Sequence, residues 1–235
     1  MGLEHSPAIV TNGLAYYLDA ANRRSYSGSG STPFSIVSSK NGFLTNGVGF
    51  TSSNSGYFTF DGFDDFIDLS TNLDVGSNFS VFAWIYPTNI NVRNHVIGNS
   101  FPYTGSNGWS MATATGYLGT SNTFFIAIGA DSSWRTAHNE SIVRNTWNYM
   151  GGTVSNGGGS ITLYVSGIAV TSYQSGSQNA NTITYTTQDM AIGRRVSTQY
   201  EVFIGNIALV KIYNRTLTAQ EVLQNYNATK GRYGL

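Results

Sequence analysis

The chain contains 235 residues with a formal net charge of zero, and 10% of its residues are charged whereas 40% are hydrophobic. Zero net charge argues against a surface for duplex DNA or RNA, because nucleic-acid binding normally requires a basic excess. The sequence has no cysteine, which excludes disulfides, thiolate metal sites and a cysteine nucleophile. No apolar run approaches the ~18 residues of a membrane-spanning helix, so we expect no insertion into a membrane.

Residues 1–12 show no strand pattern and are predicted to form an N-terminal arm. From residue 13 onward, apolar residues alternate in short segments, which is typical of β-strands. Clusters of glycine, asparagine and serine separate these segments and indicate hairpin loops. Such a series of strands predicts one all-β sandwich or jelly roll over residues 13–227. The strand signals are LAYYLDA (14–20), FSVFAWIYP (79–87), TFFIAIGA (123–130), WNYMGGTVS (147–155), ITLYVSG (161–167), DMAIG (189–193) and FIGNIALVKIYN (203–214).

The segment FSVFAWIYP is apolar on both faces of the predicted strand. Val81 and Ala83 share one face, and Phe82 and Trp84 share the other. Because a strand with one solvated face alternates with polar residues, this segment is predicted to be a central strand covered on both sides.

One short helix is predicted near the C-terminus, in LTAQEVLQNY (217–226). Thr218 is placed to cap the helix, and Glu221 three residues later completes a capping box. Leu217 and Val222 have the spacing of a hydrophobic staple across the cap. Residues 228–235 follow this helix and are predicted to form an extended tail.

Five segments in this order resemble a laminin-G-like domain of the concanavalin A-like jelly-roll superfamily: FDGFDDFIDLS, NFSVFAWIYP, NTWNYMGGTVS, ITLYVSGIAV and FIGNIALVKIYNRTLTAQEV. The front segment NGLAYYLDAANRRSYSGSGS and the close LQNYNATKGRYGL resemble virion structural proteins of tailed bacteriophages that carry this domain. The resemblance implies an antiparallel two-sheet sandwich, usually without catalysis, that contacts glycans or proteins. It also implies a place in the virion, in an oligomer, with other capsid or tail proteins or a host-surface glycan as partners.

The sequence departs from this family pattern at two positions. Ser166 stands in YVSG where the family often has an aspartate, and Ala208 stands in GNIALV where it often has an acidic residue. Both departures remove carboxylates. Since loop carboxylates supply calcium ligands in relatives that bind the ion, these losses weaken the expectation that this chain binds a metal.

Four aspartates lie close together in FDGFDDFIDLS, residues 60–70. Asp61-Gly62 is a strong turn signal between two apolar runs and predicts a hairpin with acidic turn residues. The alternative is calcium, which takes six to eight oxygen ligands, of which Asp64, Asp65 and loop carbonyls could provide some. The expected cofactor is therefore none, or a structural calcium ion held by Asp64 and Asp65.

Catalysis by this aspartate cluster is not expected. A retaining glycosidase needs two carboxylates about 5–5.5 Å apart. Asp65 and Asp68 are three residues apart, so in a strand their side chains point to opposite faces. The glutamates have no carboxylate companion at strand spacing. We expect a protein that is not an enzyme, with a glycoside hydrolase or lyase and a free-standing lectin as the alternatives.

Aromatic residues in two loop-like segments are the candidates for ligand binding. FPYTGSNGW contains Tyr103 and Trp109, and SSWRTAHNE contains Trp134 and Arg135. Exposed aromatic rings could stack on sugar rings, while Arg135 or His138 bonds the hydroxyl groups. The alternative is that the two tryptophans fill the core.

Overall fold

A computed structural model describes residues 7–89, 93–99, 107–114, 122–130, 133–176, 183–184, 188–195 and 201–235. Short 3-10 helices in this part of the chain lie at Ser53–Ser55, Asn156–Gly158 and Lys230–Tyr233. The strands and the α-helix are, in chain order, β1 (Leu14–Asp19), β2 (Phe43–Thr45), β3 (Gly49–Thr51), β4 (Tyr57–Asp61), β5 (Phe66–Asp68), β6 (Phe79–Pro87), β7 (Asn94–Gly98), β8 (Gly108–Ala114), β9 (Thr123–Ala130), β10 (Ser133–Asn139), β11 (Asn148–Ser155), β12 (Ser160–Val165), β13 (Ile168–Val170), β14 (Tyr173–Gly176), β15 (Ala191–Ile192), β16 (Ile204–Tyr213) and α1 (Ala219–Asn227).

These strands form two antiparallel sheets of eight strands each. The first sheet has the order β13-β12-β11-β6-β16-β4-β3, and β1 also pairs with β16. The second sheet has the order β14-β10-β9-β8-β7-β15-β5-β2. The chain crosses between the sheets several times, as in a jelly roll. The predicted all-β, two-sheet antiparallel sandwich with one short C-terminal helix is confirmed.

The last strand, β16, holds the first sheet together. One side of β16 pairs with β6 along most of its length. On the other side, Ile204–Ile207 pairs with β4 and Leu209–Tyr213 pairs with β1. The register shifts between these halves at Ala208, whose carbonyl accepts a hydrogen bond from the Ala20 amide at 2.9 Å. β16, near the C-terminal end of the domain, therefore holds β1, β4 and β6 together in one sheet.

The main core lies between the two sheets. Strand β6 sends Phe79, Val81, Ala83 and Ile85 into it, where they meet residues of the second sheet such as Met111. The other face of β6 lies in a second apolar cluster on the outer face of the first sheet. Every residue of β6 except Tyr86 is buried, which confirms the predicted central strand covered on both sides.

Helix α1 covers part of the outer face of the first sheet. Thr218 Oγ1 accepts a hydrogen bond from the Glu221 amide, and the Glu221 carboxylate accepts one from the Thr218 amide. The predicted capping box is confirmed, and Leu217 and Val222 are buried together beneath it. Among the residues that the structure describes, no helix has the length and apolarity of a membrane span.

The C-terminal tail is folded against the same face, so the predicted extended tail is wrong. Residues 230–233 form a 3-10 helix, and the Tyr233 ring lies 4.2 Å from the Trp84 ring. The Trp84 indole donates to Thr229 Oγ1 at 2.8 Å. Extended backbone would leave the aromatic outer surface around Trp84 in water, and folding the tail removes that surface from solvent.

The described part of the predicted arm, residues 7–12, also packs on the domain. The Val10 amide donates to Asn225 Oδ1 at 2.9 Å, and the Tyr213 hydroxyl donates to the Val10 carbonyl at 2.9 Å. Gln224 donates to the Ala8 carbonyl at 2.7 Å. These bonds attach the segment to α1 and β16 without a strand of its own, and residues 1–6 lie outside the described residues.

Candidate functional site

The four aspartates of residues 60–70 do not lie in a hairpin, so that prediction is wrong. β4 pairs with β16 and β3 in the first sheet, whereas β5 pairs with β15 and β2 in the second. Residues 62–65 therefore cross from one sheet to the other. The turn chemistry of Asp61-Gly62 is real, since Gly62 has a φ of +82°, but a turn does not fix which strands then pair.

We call residues 61–65 the acidic crossover. Asp61, Asp64 and Asp65 each offer a carboxylate oxygen, and these oxygens lie within 4.8 Å of one another. Asp61 Oδ1 accepts a hydrogen bond from the Phe63 amide at 2.8 Å. Asn46 Nδ2 donates to the Asp64 carbonyl at 3.1 Å, which ties the crossover to the segment between β2 and β3. Asp61, Asp64 and Asp65 are the residues in the described part of the chain that could hold a metal ion.

Asp65 is the buried member of the acidic crossover, with 4% of its surface exposed. Its Oδ2 accepts a hydrogen bond from the Asp61 amide at 3.0 Å. Burial raises the pKa of Asp65, and the carboxylates of Asp61 and Asp64 raise this pKa further, whereas the bond from the Asp61 amide lowers it. The surroundings of Asp65 therefore disfavour the charged form of its carboxylate.

Asp68 lies apart from this group. It is partly exposed while Ile67 and Leu69 beside it are buried, which confirms that it faces away from them. Its Oδ1 accepts a hydrogen bond from the Ser70 amide at 2.8 Å. The carboxylate therefore supports the bend after β5 and contributes nothing to the acidic crossover.

Of the four residues predicted to bind a ligand, the structure describes Trp109, Trp134 and Arg135, and it does not bring these three together on one surface. Tyr103 lies outside the described residues. Trp109 lies in β8 and is fully buried in the main core, with its ring 4.9 Å from that of Phe79, so it offers no face to a sugar. The sequence predicted a loop around Trp109, and that prediction is wrong because Trp109 lies in β8. The strand was hard to recognise because the residues on the other face of β8 are small.

Arg135 also points away from solvent, which corrects its proposed place at the surface. It is 5% exposed, and its Nη1 donates to the carbonyls of Gly158 and Gly159 at 2.8 and 2.5 Å. Arg135 therefore holds the loop between β11 and β12. Trp134 is partly exposed on the opposite face of β10, because side chains alternate along a strand.

One row of residues crosses the outer face of the second sheet. Directly opposed residues share a face, and the registers align His95, Ala112, Phe125, His138 and Tyr173 across five strands. We call this set the cross-strand row. Its middle is apolar and buried, whereas Tyr173 at the edge is 60% exposed.

The exposed end of the cross-strand row is a stacked pair. The rings of Tyr173 and His138 lie 5.5 Å apart at an interplanar angle of 29°. Trp134 lies on the same face, and a Cβ at Gly176 would come within 2.8 Å of its Cε3 atom. Sequence reasoning missed Tyr173 because β14 has four residues, too few for alternation to identify a strand.

The buried end of the cross-strand row lies in an ionic cluster around Glu201. Arg93 forms an ion pair with the Glu201 carboxylate, and His95 Nε2 and Arg195 Nη1 lie 3.3 and 3.5 Å from its Oε2. Burial would raise the pKa of Glu201, but its three basic neighbours together lower it below the usual value. Burial lowers the pKa of His95 despite Glu201. The basic neighbours therefore balance the negative charge of the Glu201 carboxylate.

Comparison with known families connects this fold to a large group of proteins. A laminin-G family model, described as the concanavalin A-like lectin/glucanases superfamily, matches residues 60–223, which is more than half of the chain. The chain belongs to this superfamily. The matched region contains the acidic crossover and every strand of the cross-strand row. A comparison with curated protein sequences finds no match.

Solved structures with this fold include domains of glycan-related proteins. Domain 4 of AbnA, a GH43 extracellular arabinanase from Geobacillus stearothermophilus solved with arabinotriose, is 16% identical with a TM-score of 0.68, over 91% of this chain and 98% of that domain. The botulinum neurotoxin serotype D ligand binding domain, solved with N-acetylneuraminic acid, is 13% identical with a TM-score of 0.66, over 91% of this chain and 50% of that one.

Two further similar structures are longer than this chain. The botulinum neurotoxin type G receptor binding domain is 17% identical with a TM-score of 0.63, and the match covers 92% of this chain and 51% of that one. The Trypanosoma rangeli sialidase, solved with the inhibitor DANA, is 12% identical with a TM-score of 0.60, over 93% of this chain and 33% of that one. The chain thus spans about half of the neurotoxin chains and a third of the sialidase.

Proposed function

We propose that the chain is a non-enzymatic binding domain of a tailed-bacteriophage virion that contacts a glycan or a protein. The superfamily membership supports a binding domain. The virion context rests on residues 12–31 and 223–235, which resemble virion structural proteins. In this proposal the partners are other capsid or tail proteins and a host-surface glycan, and the domain works as part of an oligomer in the particle.

The observation that carries the binding role is the exposed ring of Tyr173. A sugar ring stacks best on an aromatic ring that is exposed and already held in place, because little entropy is then lost on binding. Tyr173 is 60% exposed, and the His138 ring beneath it fixes its orientation. Trp134 adds a second aromatic group on the same face. The ligand surface we propose comprises Trp134 and Tyr173, with the buried His138 ring supporting Tyr173 from beneath.

Similar folds support a glycan as the ligand class. The arabinanase domain was solved with arabinotriose and the serotype D neurotoxin domain with N-acetylneuraminic acid. Both are similar to this chain in fold, at identities too low to transfer a sugar. The proposal is therefore limited to a saccharide that offers an apolar ring face and hydroxyl groups.

The non-enzymatic assignment rests on the state of the carboxylates. Glu201 is surrounded by basic groups, Glu221 is paired with Arg215, and Asp19 is paired with Arg232. A glycosidase needs one carboxylic acid and one free carboxylate beside the same bond. The acidic crossover is the remaining close group of carboxylates in the described structure, and it is the site that a rival hydrolase would use.

Glycan binding is tested by screening the full chain on immobilised saccharides and measuring the affinity of the best ligand. We expect Tyr173→Ala to weaken binding at least tenfold with an unchanged melting temperature. Ile168→Ala is the matched control, because Ile168 is 66% exposed on an edge strand of the first sheet, and it should bind as the parent does. Parental affinity in Tyr173→Ala would refute the ligand surface.

The virion and enzyme assignments need separate measurements. Mass spectrometry of purified particles should detect the protein in stable stoichiometry, and its absence from particles would refute the virion role. Incubation with the bound saccharide should release no new reducing or unsaturated ends. Product formation that disappears in Asp64→Asn or Asp65→Asn would establish the hydrolase or lyase alternative.

A further inference from the structure

The acidic crossover concentrates negative charge, and no ion pair to it is found in the described part of the chain. Carboxylate oxygens of Asp61, Asp64 and Asp65 lie within 4.8 Å of one another. The ion pairs found among the described residues all involve other carboxylates. The nearby Arg194 guanidinium lies 3.7 Å above the ring of Phe66. Three like charges at this separation repel one another unless a cation offsets them.

Asp65 provides a second, separate observation. The residue is 4% exposed, and its Oδ1 is buried with no hydrogen-bond partner among the described residues. A buried polar atom without a partner is unfavourable, and most such atoms in folded proteins bind a protein group, an ordered water or an ion. The buried oxygen is part of the carboxylate that lies against Asp61 and Asp64, so a cation there would satisfy it.

The backbone holds these oxygens in place. Gly62 has a φ of +82°, and a Cβ at this position would lie 2.7 Å from the Cβ of Ile204. Another residue would clash with β16 and move the acidic crossover. The Phe63 amide fixes Asp61 through Oδ1, and Asn46 fixes the Asp64 backbone. The backbone of the acidic crossover and the carboxylates of Asp61 and Asp65 are therefore held in place.

We propose that Asp61, Asp64 and Asp65 bind one calcium ion that joins the two sheets where β4 continues into β5. All three donors are oxygen atoms, which suits a hard cation, and calcium accepts irregular sets of six to eight oxygens more readily than magnesium does. Water completes the coordination, because Asp61 is exposed and Asp64 is partly exposed. This ion is structural and does not depend on the proposed glycan surface.

The test is calcium binding and thermal unfolding of the full chain. Isothermal titration of chelator-treated protein should show one calcium site. Saturating calcium should raise the melting temperature by several degrees relative to chelator, because an ion that binds only the folded state stabilises it. Asp61→Asn and Asp64→Asn should each lose this shift and weaken calcium binding at least tenfold.

The matched control is Asp74→Asn. Asp74 is exposed and its Oδ1 accepts a hydrogen bond from the Gly76 amide at 2.9 Å, a bond that asparagine can also accept. This variant removes the same charge elsewhere and should keep the full calcium shift. In chelator, Asp61→Asn should melt at or above the parent temperature, because the substitution relieves repulsion and keeps the acceptor for Phe63. That melt shows whether the variant is folded.

Three results would overturn the proposal. The first is a titration with no calcium binding and a melt that calcium does not change. The second is an equal shift with magnesium, which would exclude a site selective for calcium. The third is a calcium shift that survives in both Asp61→Asn and Asp64→Asn, which would place the ion elsewhere. If Tyr173→Ala loses glycan binding while calcium has no effect on the protein, the calcium proposal fails and the proposed function still stands.

Discussion

Arg232 binds Asp19 through both oxygens of its carboxylate, although 213 residues separate the two in the chain. Arg232 Nη1 lies 2.9 Å from Oδ1 and 2.8 Å from Oδ2, and Asp19 is 1% exposed. The Tyr17 hydroxyl also donates to Asp19 Oδ2 at 2.7 Å. This contact fastens the C-terminal tail to the end of β1 and neutralises a buried charge.

We predict that Arg232→Ala lowers the free energy of unfolding by about 2–3 kcal/mol, because it leaves a buried carboxylate without its cation. The loss is less than for a wholly buried pair, since Tyr17 still donates to Asp19 and the Arg232 side chain is 31% exposed. Urea unfolding measures this change. Arg23→Ala removes an exposed arginine and should change stability by less than ~0.5 kcal/mol. Equal effects of the two variants would contradict the prediction.

Lys211 gives a prediction about pH. It is fully buried beside this pair, its Nζ has no hydrogen-bond partner in the described structure, and the Tyr17 ring lies 5.2 Å from it. Burial lowers the pKa of Lys211 to about 7 from its usual 10.5, although Asp19 acts to raise this pKa. The unfolded chain then binds more protons than the folded chain between these two values. Stability should therefore rise with pH from about 7 to about 10.5.

Lys211→Met should remove this pH dependence and raise the free energy of unfolding at pH 7 by roughly 2–4 kcal/mol, because it replaces a buried ionisable group by an apolar one of similar length. The gain should shrink as the pH approaches 10.5. Urea unfolding at pH 6, 8 and 10 provides the comparison, with Lys230→Met as a partly exposed control. A loss of stability that is the same at every pH would show that the ammonium group makes a favourable contact.

The two tryptophans considered for ligand binding should behave differently. Trp109→Ala should lower the free energy of unfolding by about 3–5 kcal/mol, because it removes a fully buried ring from the main core. Trp134→Ala should reduce glycan affinity with a much smaller change in melting temperature, because Trp134 is partly exposed on the outer face. Thermal melts of both variants show whether each tryptophan supports the core. A large loss of stability in Trp134→Ala would remove that residue from the ligand surface.

The cap of α1 should also be sensitive to pH. Arg215, which hydrogen-bonds the Glu221 side chain, lowers the pKa of Glu221 to about 2 from its usual 4.5. A lowered pKa means that the stabilisation is present above pH 4.5 and is lost as the pH falls towards 2. Glu221→Gln should flatten stability over this range, and Thr218→Ala should lower it by about 1 kcal/mol at pH 7. Chemical unfolding between pH 2 and 6 tests both variants.

Local patterns in the sequence were enough to predict much of the sandwich. β6 was predictable because both of its faces are apolar, and α1 was predictable because Thr218 and Glu221 have capping-box spacing. β8 and β10 were missed as strands, since β8 carries small residues on its outer face and β10 carries polar residues on both faces, such as Arg135 on one and His138 on the other. A period of two is visible only where the two faces differ in polarity.

The candidate sites depended on contacts that a local pattern does not encode. Asp61-Gly62 correctly indicated a turn, but whether β5 then pairs with β4 or joins the other sheet depends on strands more than a hundred residues away. The approach of Tyr173 to His138 likewise follows from the pairing of β14 with β10. The metal prediction, which stays a prediction, named Asp64 and Asp65 but not Asp61, whose carboxylate lies within 4.8 Å of theirs.

The position of β16 affects how this protein is made. The first sheet needs β16 at its centre, because β1, β4 and β6 all pair with it. At the usual 5–20 residues per second, roughly 10–40 s separate the synthesis of β1 from the completion of β16. During that time β1 and β4 have no partner at the position that β16 will occupy, and their apolar faces can meet those of neighbouring nascent chains. Premature termination anywhere before β16 should therefore yield an insoluble product, because the first sheet then lacks the strand that joins β1, β4 and β6.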